Sequence, residues 1–117
     1  MFVPGDDKVR NSTPMPPAEF QILLALADGP KHGHGVNVDV VERTEGRVQM
    51  GPGTLYGAIK RLLRRAWIEE VTDSMDTLDD ERLRYYAATP DGLAAAREEA
   101  VRMASLLGIA EAKQLIG

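Results

Sequence analysis

The chain has 117 residues, with 14 Lys and Arg against 18 Asp and Glu, two His and no Cys. That length fits one domain, since single cores usually span about 100–150 residues, and the lack of cysteine removes disulfides, thiolate nucleophiles and Cys-based zinc or iron–sulfur sites. No run approaches the roughly 20 apolar residues of a membrane span, so no membrane partner is expected, and a net charge of −4 argues against bulk coating of a polyanion.

Residues 1–14 carry Pro, Gly, Asp, Asn, Ser and Thr with little periodicity and read as a flexible arm. The start, Met1-Phe2-Val3-Pro4-Gly5-Asp6-Asp7, lacks the basic-then-apolar order of a signal peptide, so a cytoplasmic location is expected. Pro16-Pro17-Ala18-Glu19 opens a helix, because proline is tolerated where the first N–H groups are unpaired. Phe20, Ile22, Leu23, Leu24, Leu26 and Ala27 make it apolar on nearly every side, which predicts a central position, and Asp28-Gly29-Pro30 ends it. A second helix is predicted from His32-Gly33-His34-Gly35, with Val36, Val40 and Val41 at helical spacing and Gly46 closing it.

Gly51-Pro52-Gly53-Thr54 starts a third helix, in which Leu55, Ile59, Leu62 and Ala66 share one apolar face. Trp67 to Val71 reads as a strand, Thr72 to Glu81 as an acidic loop, and Arg82 to Thr89 as the returning strand of a long ribbon. Thr89-Pro90-Asp91-Gly92 is a cap and turn. The last helix, about 20 residues or roughly 30 Å, spaces Leu93, Ala96, Ala100, Met103, Leu107 and Ala110 as a heptad-like seam suited to self-association. The expected fold is mainly α with a β-ribbon: a winged helix–turn–helix over 15–89, after the 1–14 arm, with a C-terminal dimerisation helix over 90–117.

Charge is unevenly placed along this order. Residues 31–68 hold seven basic and three acidic side chains, net +4, and 69–84 hold two basic and seven acidic, net −5. The basic stretch contains the third helix, the natural candidate for a major groove. There Thr54 suits a thymine methyl or an N-cap, Tyr56 offers a hydroxyl to phosphate, and Lys60 reaches a base edge or the backbone. Arg61, Arg64 and Arg65 suit phosphates. Arg82 and Arg84 share one strand face and suit a minor groove or phosphate, with protective edge charge as the alternative. His32 and His34 have no third His or Cys to make a metal site, and Gly51-x-Gly53 lacks the remainder of a dinucleotide fingerprint. No enzyme activity, cofactor or metal is expected.

Three stretches carry a family resemblance: Gly29-Pro30-Lys31-His32-Gly33, Gly53-Thr54-Leu55-Tyr56-Gly57-Ala58-Ile59-Lys60-Arg61-Leu62, and Arg84-Tyr85-Tyr86-Ala87-Ala88-Thr89-Pro90-Asp91-Gly92. Together, and over about residues 16–107, they resemble the PadR family of transcriptional regulators, in its small subclass with a single short C-terminal helix. The resemblance implies a winged-helix homodimer, usually a repressor, on a partly palindromic double-stranded operator. By that likeness Thr54, Tyr56 and Lys60 face the groove, Arg82 and Arg84 lie on the wing, and Leu93, Ala96, Ala100, Met103 and Leu107 form the dimer contact. The chain departs from the family pattern at His34, where Tyr is usual, and at Gly57, where Pro is common. Some small members bind planar aromatic drugs against a tryptophan of the last helix, whereas here the sole Trp is Trp67. A small-molecule effector at the dimer interface is therefore one alternative, and a protein-binding winged helix without specific DNA contact is the other.

Overall fold

The structure, a computed structural model, describes residues 14–71 and 84–116. The predicted arm (apart from Pro14), the acidic loop 72–81 and Arg82 lie outside the described residues. In chain order the elements are α1 (Pro17–Leu26), β1 (Lys31–His32), α2 (Gly33–Arg43), α3 (Pro52–Arg64), β2 (Ile68–Val71), β3 (Tyr85–Ala88) and α4 (Pro90–Ala112). The architecture is mainly helical with a small antiparallel sheet, a winged helix–turn–helix with a further C-terminal helix.

Helix α1 packs against α2, α3, α4 and β3, the central position that its near-continuous apolar sequence predicts. Its Ile22, Leu23 and Ala25 are fully buried. Asp28-Gly29 ends it with Gly29 at φ +136°, a conformation open to glycine and costly for other residues. Lys31 then turns back, its Nζ donating to the Ala25 carbonyl at 2.6 Å and satisfying one of the orphan acceptors at the end of the helix.

The sheet has three strands rather than the expected two-stranded ribbon, in the order β1-β3-β2. The additional strand pairs Lys31 with Tyr86 and His32 with Tyr85, and the His32 ring meets Tyr85 edge-on with centroids 4.0 Å apart. His32 is thus the N-cap of α2 and a residue of β1, not the first residue of a helix. Two residues show no alternation, so only the partner strand could reveal them.

Helix α2 buries Val36 and Val40. Its C-terminal turn is closed by Glu45 and Gly46, left-handed at φ +54° and +80°, with Gly46 N–H donating to the Val41 carbonyl at 2.8 Å, so the predicted closing glycine shares the left-handed turn with the residue before it. Asn37 then fixes the connection to α3: its Nδ2 donates to the Met50 carbonyl at 3.1 Å and its Oδ1 accepts from Met50 N–H at 3.4 Å.

Helix α3 buries Leu55, Ala58, Ile59 and Leu62. Ala66, expected on this face, is exposed beyond the helix end. It holds φ +59° while Trp67 N–H donates to the Leu62 carbonyl and Ala66 N–H to the Leu63 carbonyl, both at 3.0 Å, so the chain reverses sharply into β2. On β2 and β3, Ile68 and Tyr86 face the core.

Thr89 joins the ribbon to α4. Its hydroxyl accepts from Gly92 N–H at 3.1 Å and donates to the Ala66 carbonyl at 2.6 Å, while Thr89 N–H donates to the Trp67 carbonyl. Helix α4 runs 23 residues, or roughly 34 Å. Its first half is held on the domain: Ala95 and Ala96 pack against the core, and buried Glu99 accepts from Met15 N–H and from Arg102 Nε, each at 3.2 Å. The second half leaves the domain, with Val101, Met103, Leu106, Leu107 and Ile109 all exposed.

Candidate nucleic-acid interface

With Leu55, Ala58, Ile59 and Leu62 inward, a turn of 3.6 residues points Gly53, Gly57, Lys60 and Arg64 directly away from the core. A Cβ on Gly53 would meet nothing within 4 Å, and one on Gly57 only the far end of Arg61, so the first two turns present nearly bare backbone. Helix α3 has Gly51 as its N-cap and no side-chain cap, which leaves its positive dipole end open. Thr54 is exposed in the first turn and is not the cap. No acidic residue sits in that turn.

The cations of α3 divide into two sets, a division sequence spacing did not reveal. Lys60 and Arg64 are exposed and have no ion partner among the described residues. Arg61 and Arg65 are tied to Glu19 of α1. Arg61 Nε lies 3.0 Å from Oε2, and Arg65 Nη1 lies 2.6 Å from Oε1. Glu19 is fully buried, and a buried carboxylate demands charged partners. The signal was present: an acid in a helix that is apolar on every side, and two arginines at i and i+4 that share a face.

Tyr56 occupies the opposite flank, half-buried, with its ring against the start of α2. A Cβ at Gly33 would stand 2.9 Å from its hydroxyl oxygen, so Gly33 is the residue that makes room for this tyrosine. Between α3 and the wing lies a shallow groove lined by Tyr56, Lys60 and Leu63 on one side and Glu70, Arg84 and Tyr86 on the other. Arg84 therefore faces the same space as Lys60. Glu70, which the sequence reading did not single out, stands across from Arg84 with 3.9 Å between Oε1 and Nε.

Of the expected dimer contact, Leu93 and Ala96 are half-buried within the protomer, Ala96 against its core. Ala100, Met103 and Leu107 are exposed, joined by Val101, Leu106 and Ile109, which the heptad reading left out. Among the described residues no group of three or more His, Asp or Glu gathers as for a metal ion, and no helix is long and apolar enough to cross a membrane.

A family profile described as the transcriptional regulator PadR-like family matches residues 22–98. A curated relative from Streptomyces fradiae, an uncharacterized 37.1 kDa protein in transposon TN4556, is 36% identical over 91 residues, covering 78% of this chain and 24% of that protein. The chain thus spans about a quarter of the length of that relative. Among solved structures, a transcriptional regulator from Clostridium thermocellum superposes with a TM-score of 0.68 at 20% identity, covering 93% of this chain and 96% of that one. A PadR family transcription regulator from Clostridium difficile R20291 superposes with a TM-score of 0.63 at 18% identity, covering 86% and 98%. At these identities the structural likeness concerns the fold.

Proposed function

The chain belongs to the transcriptional regulator PadR-like family, whose members are DNA-binding regulators, and from that premise we propose that it binds a specific double-stranded operator as a homodimer and represses transcription by occupying it, in the cytoplasm. The observation that carries the proposal is the outward stripe of α3, where two bare glycines lead into Lys60 and Arg64, both without an ion partner among the described residues. Backbone that can approach closely, followed by flexible cations one turn apart, suits a helix lying in a major groove with its N-terminal turns deepest. Thr54 then meets base edges, and Tyr56 and Arg84 meet the phosphates beside the wing. Arg82 belongs to the same wing by sequence.

Two copies of this interface on one face of a duplex would stand one helical turn apart, about 34 Å. Selection from a pool of random duplexes at moderate salt is expected to enrich two related half-sites about 10 base pairs apart, centre to centre. Recovery of an unenriched pool would overturn the reading and favour a protein-binding role. A small-molecule effector has its natural seat at the same dimer interface, and its signature is release of the selected duplex by the compound.

The dimer itself is assigned to the second half of α4. Leu107 is 51% exposed in the protomer, so Leu107→Glu costs the isolated fold little. The variant is expected to sediment at one chain mass where the parent sediments at two, with its helical content retained. A variant mass still equal to two chains would move the contact elsewhere.

A further inference from the structure

We infer that Glu19 is a positioning residue for the DNA backbone: it presets Arg61 and Arg65 as a paired clamp for a phosphate on the strand opposite the wing. The inference rests on the duplex-binding reading and adds a site to it. Glu19 is 0% exposed, yet each arginine side chain bound to it remains 46% exposed, so both hold the carboxylate while keeping nearly half of their own surface open to solvent. One carboxylate facing two guanidinium groups leaves an excess positive charge at that surface. A simple fastener between α1 and α3 needs one arginine, and apolar side chains serve as well, because a buried ion pair is a weak stabiliser.

The geometry supplies the ligand class. A helix with its side chains is about 10–12 Å across, close to the width of a B-form major groove, so both of its flanks meet a phosphate backbone. On α3 the wing and Arg84 occupy one flank, and Arg61 and Arg65 occupy the other. Arg65 is held a second time by its guanidinium over the Trp67 ring, 5.1 Å from the centroid. Restrained in this way, the pair gives up little side-chain freedom when a phosphate arrives, and the guanidinium fork matches phosphate oxygens.

The test exploits a difference in sign. Counting charge alone, Glu19→Gln removes a negative charge from a DNA-facing surface and should tighten binding to any duplex. Positioning requires the opposite. With a labelled mixed-sequence duplex of 30 base pairs titrated between about 50 and 200 mM salt, the variant is expected to bind about ten-fold more weakly, with the log–log salt slope lower by about 0.9 for one lost phosphate contact. A role confined to holding α1 on α3 would lower the unfolding temperature and leave the slope of the folded protein unchanged.

Arg65→Gln keeps Glu19 paired with Arg61 and provides the second reading, including the case in which Glu19→Gln does not fold. Its slope is also expected to fall by about 0.9. Binding by Glu19→Gln as tight as the parent's or tighter, or an unchanged slope in Arg65→Gln, overturns the inference. Failure of the duplex-binding reading looks different, since the parent protein itself would then show no salt-dependent binding to the duplex.

Discussion

Gly92→Ala is expected to destabilise the protein by about 3 kcal/mol or more, measured as a lowered urea midpoint or complete loss of the folded transition. Helix propensity alone predicts the reverse, a gain of up to about 1 kcal/mol for replacing glycine inside a helix. The structure decides the sign because a Cβ at this position collides with the Trp67 carbonyl, standing 2.8 Å from its carbon and 3.0 Å from the Trp67 Cα. Backbone cannot rotate aside as a side chain can. The Trp67 carbonyl also accepts from Thr89 N–H, and the Thr89 hydroxyl both caps Gly92 N–H and binds the Ala66 carbonyl. Any retreat of α4 would therefore break the hydrogen bonds that turn the chain out of α3. With total stabilities of about 5–15 kcal/mol typical of single domains, such a loss removes a large part of the fold. An unchanged or raised midpoint would show that this joint opens cheaply. The same joint matters for function, because it ties the end of the candidate recognition helix to the first turn of the candidate dimer helix.

Lys60→Ala and Arg64→Ala together are expected to abolish preference for a selected operator over a scrambled duplex, each change costing about 1–3 kcal/mol where it contacts a base edge and less where it contacts phosphate. These two cations have no ion partner among the described residues to leave behind when they engage DNA, so the loss should appear in binding and not in stability. Arg61→Ala is the contrast, since it strips one of two partners from a fully buried carboxylate and should lower the unfolding temperature as well. Measuring both quantities on the double variant and on Arg61→Ala separates the two sets of cations on one helix. Parent-like discrimination by the Lys60 and Arg64 double variant would place base reading on another element.

Much of the architecture is readable from local pattern. The apolar run of α1 announces a central helix, the 55, 59, 62 spacing orients α3, and Thr89-Pro90 marks the start of α4. These features are set within a few residues by periodicity, capping and the conformational limits of Pro and Gly. The uneven charge is equally local: a net of −4 conceals a +4 stretch over 31–68 that contains α3, so total charge was a poor guide to the surface.

What sequence order does not carry is partnership. Glu19 and Arg61 are 42 positions apart, Glu19 and Arg65 are 46, and Met15 and Glu99 are 84. The two-residue β1 has no pattern of its own and exists only as the edge partner of β3. Gly92 reads as a turn residue, but its requirement comes from a carbonyl 25 positions earlier in the chain. By itself, then, the sequence determined the types of the longer elements, the face of α3 that turns inward and the family likeness, because these follow from short-range sterics and hydrophobic spacing. Only the tertiary structure decided which cations of α3 are committed to Glu19 and which have no ion partner among the described residues. A buried carboxylate must be paired, and the fold determines which arginines stand close enough to pair with it.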